Sequence, residues 1–199
     1  MRISPTRIRI TTQPTIEPVS RTEAKLHLRI DHATEDDLID RLITTARIQC
    51  EDIAGRSFIT RTYTAKFDLW PRNDRMRLPF PPLISVSSIT YTDEDGNTAT
   101  YAASNYIVDT YSEPGQLVIK TDSTWPDVTL QEVNGITVVY TAGYGALASD
   151  VPARYRQAVL LMVGHLYENR EAVLVGNVNA TELPMALNAL LLTDRGGWW

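Results

Sequence analysis

His27 and His32 stand close to Asp31, Asp36 and Asp37, and imidazoles with carboxylates are the donors that hold a divalent cation. Such a site needs its donors fixed in one geometry. Here Asp31-His32-Ala33 breaks the chain between two helical segments, so the donors fall on different elements. The group reads as a solvated, acidic helix start. His165 lies in an apolar helical run and reads as a satisfied core residue. Glu168 and Glu171 have the types of an acid/base pair, but beside Arg170 at a helix end they read as surface ion pairing. Asp93-Glu94-Asp95-Gly96-Asn97 looks like the start of a calcium loop. Ser104 stands where the twelfth-position glutamate is required, which leaves a β-turn.

Other nucleophile and cofactor patterns are missing. The sequence has no G-x-S-x-G elbow, Walker A loop, H-E-x-x-H or C-x-x-C. Ala142-Gly143-Tyr144-Gly145 is too short for a dinucleotide fingerprint and follows an antiparallel β pattern, so it reads as a turn. Cys50 is the single cysteine, which excludes an intrachain disulfide. Its place in a helical stripe marks it as a small buried hydrophobe. No catalytic, metal or cofactor residue is expected, and no enzymatic activity.

The elements follow from spacing. In residues 1–19, Arg2, Arg7 and Arg9 alternate with Ile3, Ile8 and Ile10, a pattern compatible with a short strand. Pro14 and Pro18 exclude a helix there. Ser20 with Glu23 forms a capping box opening a short helix through about Arg29. Glu35, Asp36 and Asp37 open a second helix, where the macrodipole favours carboxylates. Ile39, Leu42, Ile43, Ala46, Cys50 and Ile53 share one face of it, and Gly55 ends it. The period then switches to two. Strands are expected over 63–69, 84–92, 98–102, 106–110, 117–120 and 136–141, with a proline-rich loop at Pro71–Pro82. Helix returns at Val151-Pro152, capped by Asp150, and runs to about Arg170. A last helix spans Pro184 to about Leu192.

The layout is α+β: N- and C-terminal helices forming a bundle, with an inserted antiparallel β unit. The expected divisions are an arm at 1–19, a helical core from 20–56 and 150–192, the β unit at 57–149 and a tail at 193–199. The chain has 199 residues, 43% of them apolar, enough for a real core. Its net charge is -5, from 19 basic and 24 acidic residues, so it lacks the basic footprint of a free-standing nucleic-acid binder. It carries no apolar run of membrane-spanning length, and the opening Met1-Arg2-Ile3-Ser4-Pro5 leads into no signal-like apolar stretch. Synthesis in the cytosol, away from membranes, is expected.

The run Val19-Ser20-Arg21-Thr22-Glu23-Ala24-Lys25-Leu26-His27-Leu28-Arg29-Ile30 resembles the opening helix of phage head–tail connector proteins, with its E-A-K-x-H-L-R pattern. Glu35-Asp36-Asp37-Leu38-Ile39 and the stretch from Ala46 through Cys50-Glu51 to Gly55-Arg56 continue it. So do Val151-Pro152-Ala153 through His165-Leu166-Tyr167-Glu168-Asn169-Arg170-Glu171-Ala172, and Leu183-Pro184-Met185-Ala186-Leu187-Asn188-Ala189-Leu190-Leu191. The resemblance covers both helical portions and not the β insertion. It is to the adaptor, or head-completion, family of long-tailed double-stranded DNA phages and of phage-like particles such as gene transfer agents.

The resemblance implies a structural protein of the virion neck, made in the bacterial host cytoplasm. It implies a homo-oligomeric ring, usually of twelve copies, beneath the portal protein. That ring extends the DNA channel, touches the passing duplex transiently and offers a platform to a stopper or tail-completion protein. No cofactor, membrane or catalytic site comes with it. The family assigns no residues here, so sites are expectations from residue type. Leu183, Pro184, Leu187, Leu190, Leu191, Arg195, Trp198 and Trp199 are the candidates for portal docking, because Trp and Arg dominate interface hot spots. A tail folded back on its own core is the equal alternative for the two tryptophans. Arg2, Arg7, Arg9, Arg72, Arg75 and Arg77 are the candidates for a channel or DNA-facing lining. A stopper or tail-completion protein is the alternative function. A packaged hydrolase and a DNA-binding packaging factor fit less well, for want of motifs and of positive charge.

Overall fold

The computed structural model describes residue 5, residues 7–170 and residues 185–192. These fall into two compact units, one drawn from residues 15–59 and from 144 onward, the other from residues up to 14 and 60–143. The fold is α+β, with helices before and after a central antiparallel β region.

The helical unit holds α1 (Arg21–Leu28), α2 (Asp36–Ala54), α3 (Ala153–Glu168) and α4 (Met185–Leu192). The Ser20 hydroxyl accepts the Glu23 N–H, and the Glu23 carboxylate accepts the Ser20 N–H at 2.8 Å, so the capping box is complete. Arg29 closes α1 in the left-handed region. On α2, Ile39, Ile43, Ala46, Cys50 and Ala54 are buried at the spacing of one helical face. Gly55, at φ 64°, ends α2 where any Cβ would be strained. Tyr155, Ala158, Val159, Met162 and Val163 are the matching face of α3. Phe58 stacks on Tyr155 at 4.8 Å between ring centres and closes this core together with Leu187 and Leu191 of α4.

The start of α3 departs from expectation. Pro152 occupies its N-cap and no side chain caps it. Asp150 instead accepts the Leu147 N–H at 2.9 Å, closing the 3-10 turn Ala148–Asp150. Its carboxylate packs on Gly145, where an added Cβ would meet it at 2.1 Å.

The β unit has eight strands: β1 (Arg7–Thr12), β2 (Arg61–Phe67), β3 (Arg75–Arg77), β4 (Leu83–Thr92), β5 (Thr98–Thr100), β6 (Tyr106–Asp109), β7 (Gln116–Ile119) and β8 (Ile136–Ala142). They form a five-stranded sheet in the order β1-β2-β8-β4-β5 and a three-stranded sheet in the order β3-β7-β6. Alternation sends Tyr63, Ala65, Phe67, Ile136, Val138 and Tyr140 inward, where they share one core with Met76, Leu117 and Tyr106 of the small sheet. The other face of the large sheet is read off the register. Its rows run Arg7–Lys66–Thr137–Thr90–Thr100, then Arg9–Thr64–Val139–Ser88, then Thr12–Thr62–Thr141–Ser85. Trp70 stacks on Trp125 at 4.8 Å and covers one side of the core. The proline-rich run yields β3, and Phe80 within it stacks on Tyr63 at 5.2 Å.

Candidate functional site

The ionisable side chains of the helical unit fasten elements together. Arg47 is buried on α2. Its Nε donates to Glu17 at 2.6 Å and its Nη1 to Glu51 at 2.9 Å. Glu51 also accepts the Phe58 N–H at 2.7 Å, tying the end of α2 to the residues that follow it. On the surface, Lys25 donates to Asp36 at 2.7 Å and Arg21 spans Asp36 and Asp40, so α1 is laced to α2. Arg156 of α3 holds Glu23 and the Pro18 carbonyl. Glu35, just before α2, accepts the Tyr167 hydroxyl and the Arg170 guanidinium.

These partners set the protonation states. The Ser20 N–H, and after it the Ser20 hydroxyl and Arg156, hold Glu23 below the usual carboxylate range. The Tyr167 hydroxyl and then Arg170 do the same for Glu35. Lys25 lowers Asp36, and Arg21 lowers Asp40. Every one of these carboxylates is thereby kept ionised and occupied, the opposite of a general acid poised near neutrality. Burial pushes the Cys50 thiol up to about 12. A protonated thiol is a poor nucleophile.

Asp36 belongs to the lace with Lys25 and Arg21, while His27 and His32 are exposed. Among the described residues no group of His, Cys, Asp and Glu is arranged to hold a metal ion. Arg170 pairs with Glu35 across 135 residues of sequence and stacks on the Tyr167 ring at 4.3 Å. Its expected local partner Glu171 lies outside the described residues. Asp93 accepts the N–H groups of Asp95 and Asn97 at 3.0 and 2.8 Å, which makes its segment a hairpin turn. An open cleft of about 410 Å³ lies in the helical unit, floored by Val19 and Ile43 and rimmed by Arg21, Asp40 and Thr44.

The arginines expected as a lining stand on different elements. Arg7 and Arg9 lie on β1 at the edge of the large sheet, and both are exposed. Arg75 and Arg77 are exposed on β3, on the small sheet's face away from the shared core, with Arg72 exposed just before them. Arg2 lies outside the described residues, as do Leu183, Pro184, Arg195, Trp198 and Trp199. Leu187 and Leu191 are buried in the helical core, each 1% exposed, and Leu190 packs against its margin.

Sequence reading passed over the Glu17–Arg47–Glu51 group. Its signal was present: Arg47 and Glu51 stand at i and i+4 beside the apolar stripe. It also passed over Tyr111, which is 97% exposed at the tip of the β6–β7 loop. That loop is held by Asp109, which accepts the N–H groups of Tyr111 and Ser112, each at 3.0 Å. The geometry throughout is that of a braced scaffold with surfaces to offer.

Residues 18–176 match the family model described as head completion protein. The chain belongs to the head completion protein family. Curated proteins give no match. Among solved structures, the fold of this chain is similar to that of a chain in the virion of a native gene transfer agent (GTA) particle. The TM-score there is 0.76 at 22% identity, covering 94% of this chain and 95% of that one. A chain in the neck of an empty GTA particle computed with C6 symmetry gives 0.75 at 21% identity, over 94% of this chain and 93% of that one. A chain in the neck of a native GTA particle computed with C12 symmetry gives 0.63 at 20% identity, over 92% and 93%. The family is a structural one, in keeping with side chains spent on bracing.

Proposed function

We propose that this chain is the adaptor of a phage-like particle's neck: a ring of copies, twelve in number, docked beneath the portal. The ring extends the DNA channel and carries the stopper or tail. The observation that supports this most is the family match over residues 18–176, joined to a fold shared along 94% of the chain with a neck protein of a gene transfer agent particle. A ring arises when one heterologous contact repeats until it closes. The acidic balance of the chain suits a channel through which DNA slides, because each neutralised phosphate adds affinity.

Portal docking is assigned to Leu183–Trp199. Within it, the buried Leu187 and Leu191 anchor α4 to the helical core. Residues beyond Leu192, with Arg195, Trp198 and Trp199, then reach the portal. Co-sedimentation of the chain with its own particle's portal ring, and separately with its stopper, tests the layer. An adaptor pellets with the portal alone. A chain that pellets only with adaptor–portal complexes belongs to the stopper layer instead.

A further inference from the structure

The two edges of the five-stranded sheet differ in charge. None of its strands contains an Asp or Glu. At the β1 edge, Arg7 and Arg9 are exposed, and Lys66 of β2 lies directly opposite Arg7. At the other edge, the turn between β4 and β5 carries Asp93, Glu94 and Asp95 and no Lys or Arg. Asp93 is spent on closing the turn, whereas Glu94 and Asp95 are exposed.

The register puts Arg7 and the acidic turn at the same end of the sheet, with Arg9 one row further from that end. Arg7 shares a row with Lys66, Thr137, Thr90 and Thr100, and the acidic turn follows within a few residues of that row. β1 and β5 both run antiparallel to the strand beside them, and β2 and β4 both run antiparallel to β8. β1 and β5 therefore point the same way. They are also the exposed strands of the sheet, and their outer sides face no further strand among the described residues. An open sheet edge is a template for another chain.

We propose that the β1 edge of one copy docks on the β5 edge of the next, with Arg7 facing the exposed Glu94 and Asp95 across the junction and Arg9 adding its charge one row further along β1. The occupant is a second copy because each chain carries both complementary edges, one at each side of a single sheet. The pairing is parallel, which sets Arg7, the first residue of β1, beside the start of β5 and nearest the acidic turn. The contact is heterologous: a dimer made this way leaves one edge of each kind free, so it repeats until the ring closes. The inference rests on the adaptor reading, which supplies the ring.

The test is a charge swap read as copies bound per portal ring by native mass spectrometry. Arg7→Glu with Arg9→Glu should lower occupancy about tenfold at fixed concentration, as should Glu94→Lys with Asp95→Lys. All of these sites are exposed, so circular dichroism and the thermal midpoint should match wild type. The chain carrying all four changes should regain the wild-type copy number, because reversed charges attract again. A wild-type ring indifferent to either pair overturns the inference alone. Loss without rescue in the fourfold variant overturns it too, since those charges would then serve another partner, such as DNA. Failure of the wild type to bind the portal at all overturns the adaptor reading and this inference with it.

Discussion

Arg47 and Glu51 lie one turn apart on α2, both buried, with Nη1 of one 2.9 Å from Oε2 of the other. Glu17 takes the rest of the guanidinium, and Glu51 caps the Phe58 N–H. The group replaces apolar packing at the point where α2, the 15–20 segment and the residues after α2 meet. Arg47→Met should destabilise the chain by about 3 kcal/mol, because it removes the buried cation that Glu17 and Glu51 share. Denaturant midpoints check this, and a change under about 0.5 kcal/mol would mean the pair is cosmetic.

Acid should loosen the helical unit. Hydrogen bonds and cations lower Glu23 and Glu35 from an ordinary 4.5, and Asp36 and Asp40 from 3.8. A depressed carboxylate stabilises the folded state fully above its unfolded value and stops doing so as pH falls through its folded value. The thermal midpoint should therefore stay level from neutral pH to about 5 and fall below about 4.5. Glu23→Gln should make that fall shallower. A midpoint that holds down to about pH 3 contradicts the ion-pair account.

How much of this was legible beforehand depended on sequence separation. The capping box at Ser20–Glu23 and the stripe from Ile39 to Cys50 are local patterns, and the structure has both. Alternation likewise marked β2 and β8. β3 was hidden because Arg75–Met76–Arg77 offers one inward residue inside a proline-rich run. Sequence does not say which strands pair, so the placement of the arginines expected as a lining was not legible. β1 joins β2 in the large sheet, β3 joins β7 in the small one, and the arginines separate accordingly. The Glu35–Arg170 bond spans 135 residues and leaves no local trace, so spacing alone points Arg170 to its neighbours.

Cys50 should be inert while the chain is folded. Burial holds its thiol protonated at any ordinary pH. A thiol-reactive probe should label it only at the rate of unfolding, and fully in denaturant. Complete labelling of the native chain within minutes would contradict the packing of α2.

Truncation after Leu192 should separate folding from docking. The buried Leu187 and Leu191 stay in place, so the thermal midpoint should stay within a few degrees of wild type, while portal binding is lost. Leu187→Ala is the converse probe: it should cost about 2–4 kcal/mol, since it opens a cavity in the helical core. Unchanged portal binding by the truncated chain would move the docking surface elsewhere.

The central claim is tested most directly by native mass spectrometry of the intact chain mixed with its own particle's purified portal ring. The account predicts a complex carrying one copy of the chain per portal subunit. No complex at micromolar concentration and low salt would contradict it and would move the chain to a layer further from the head.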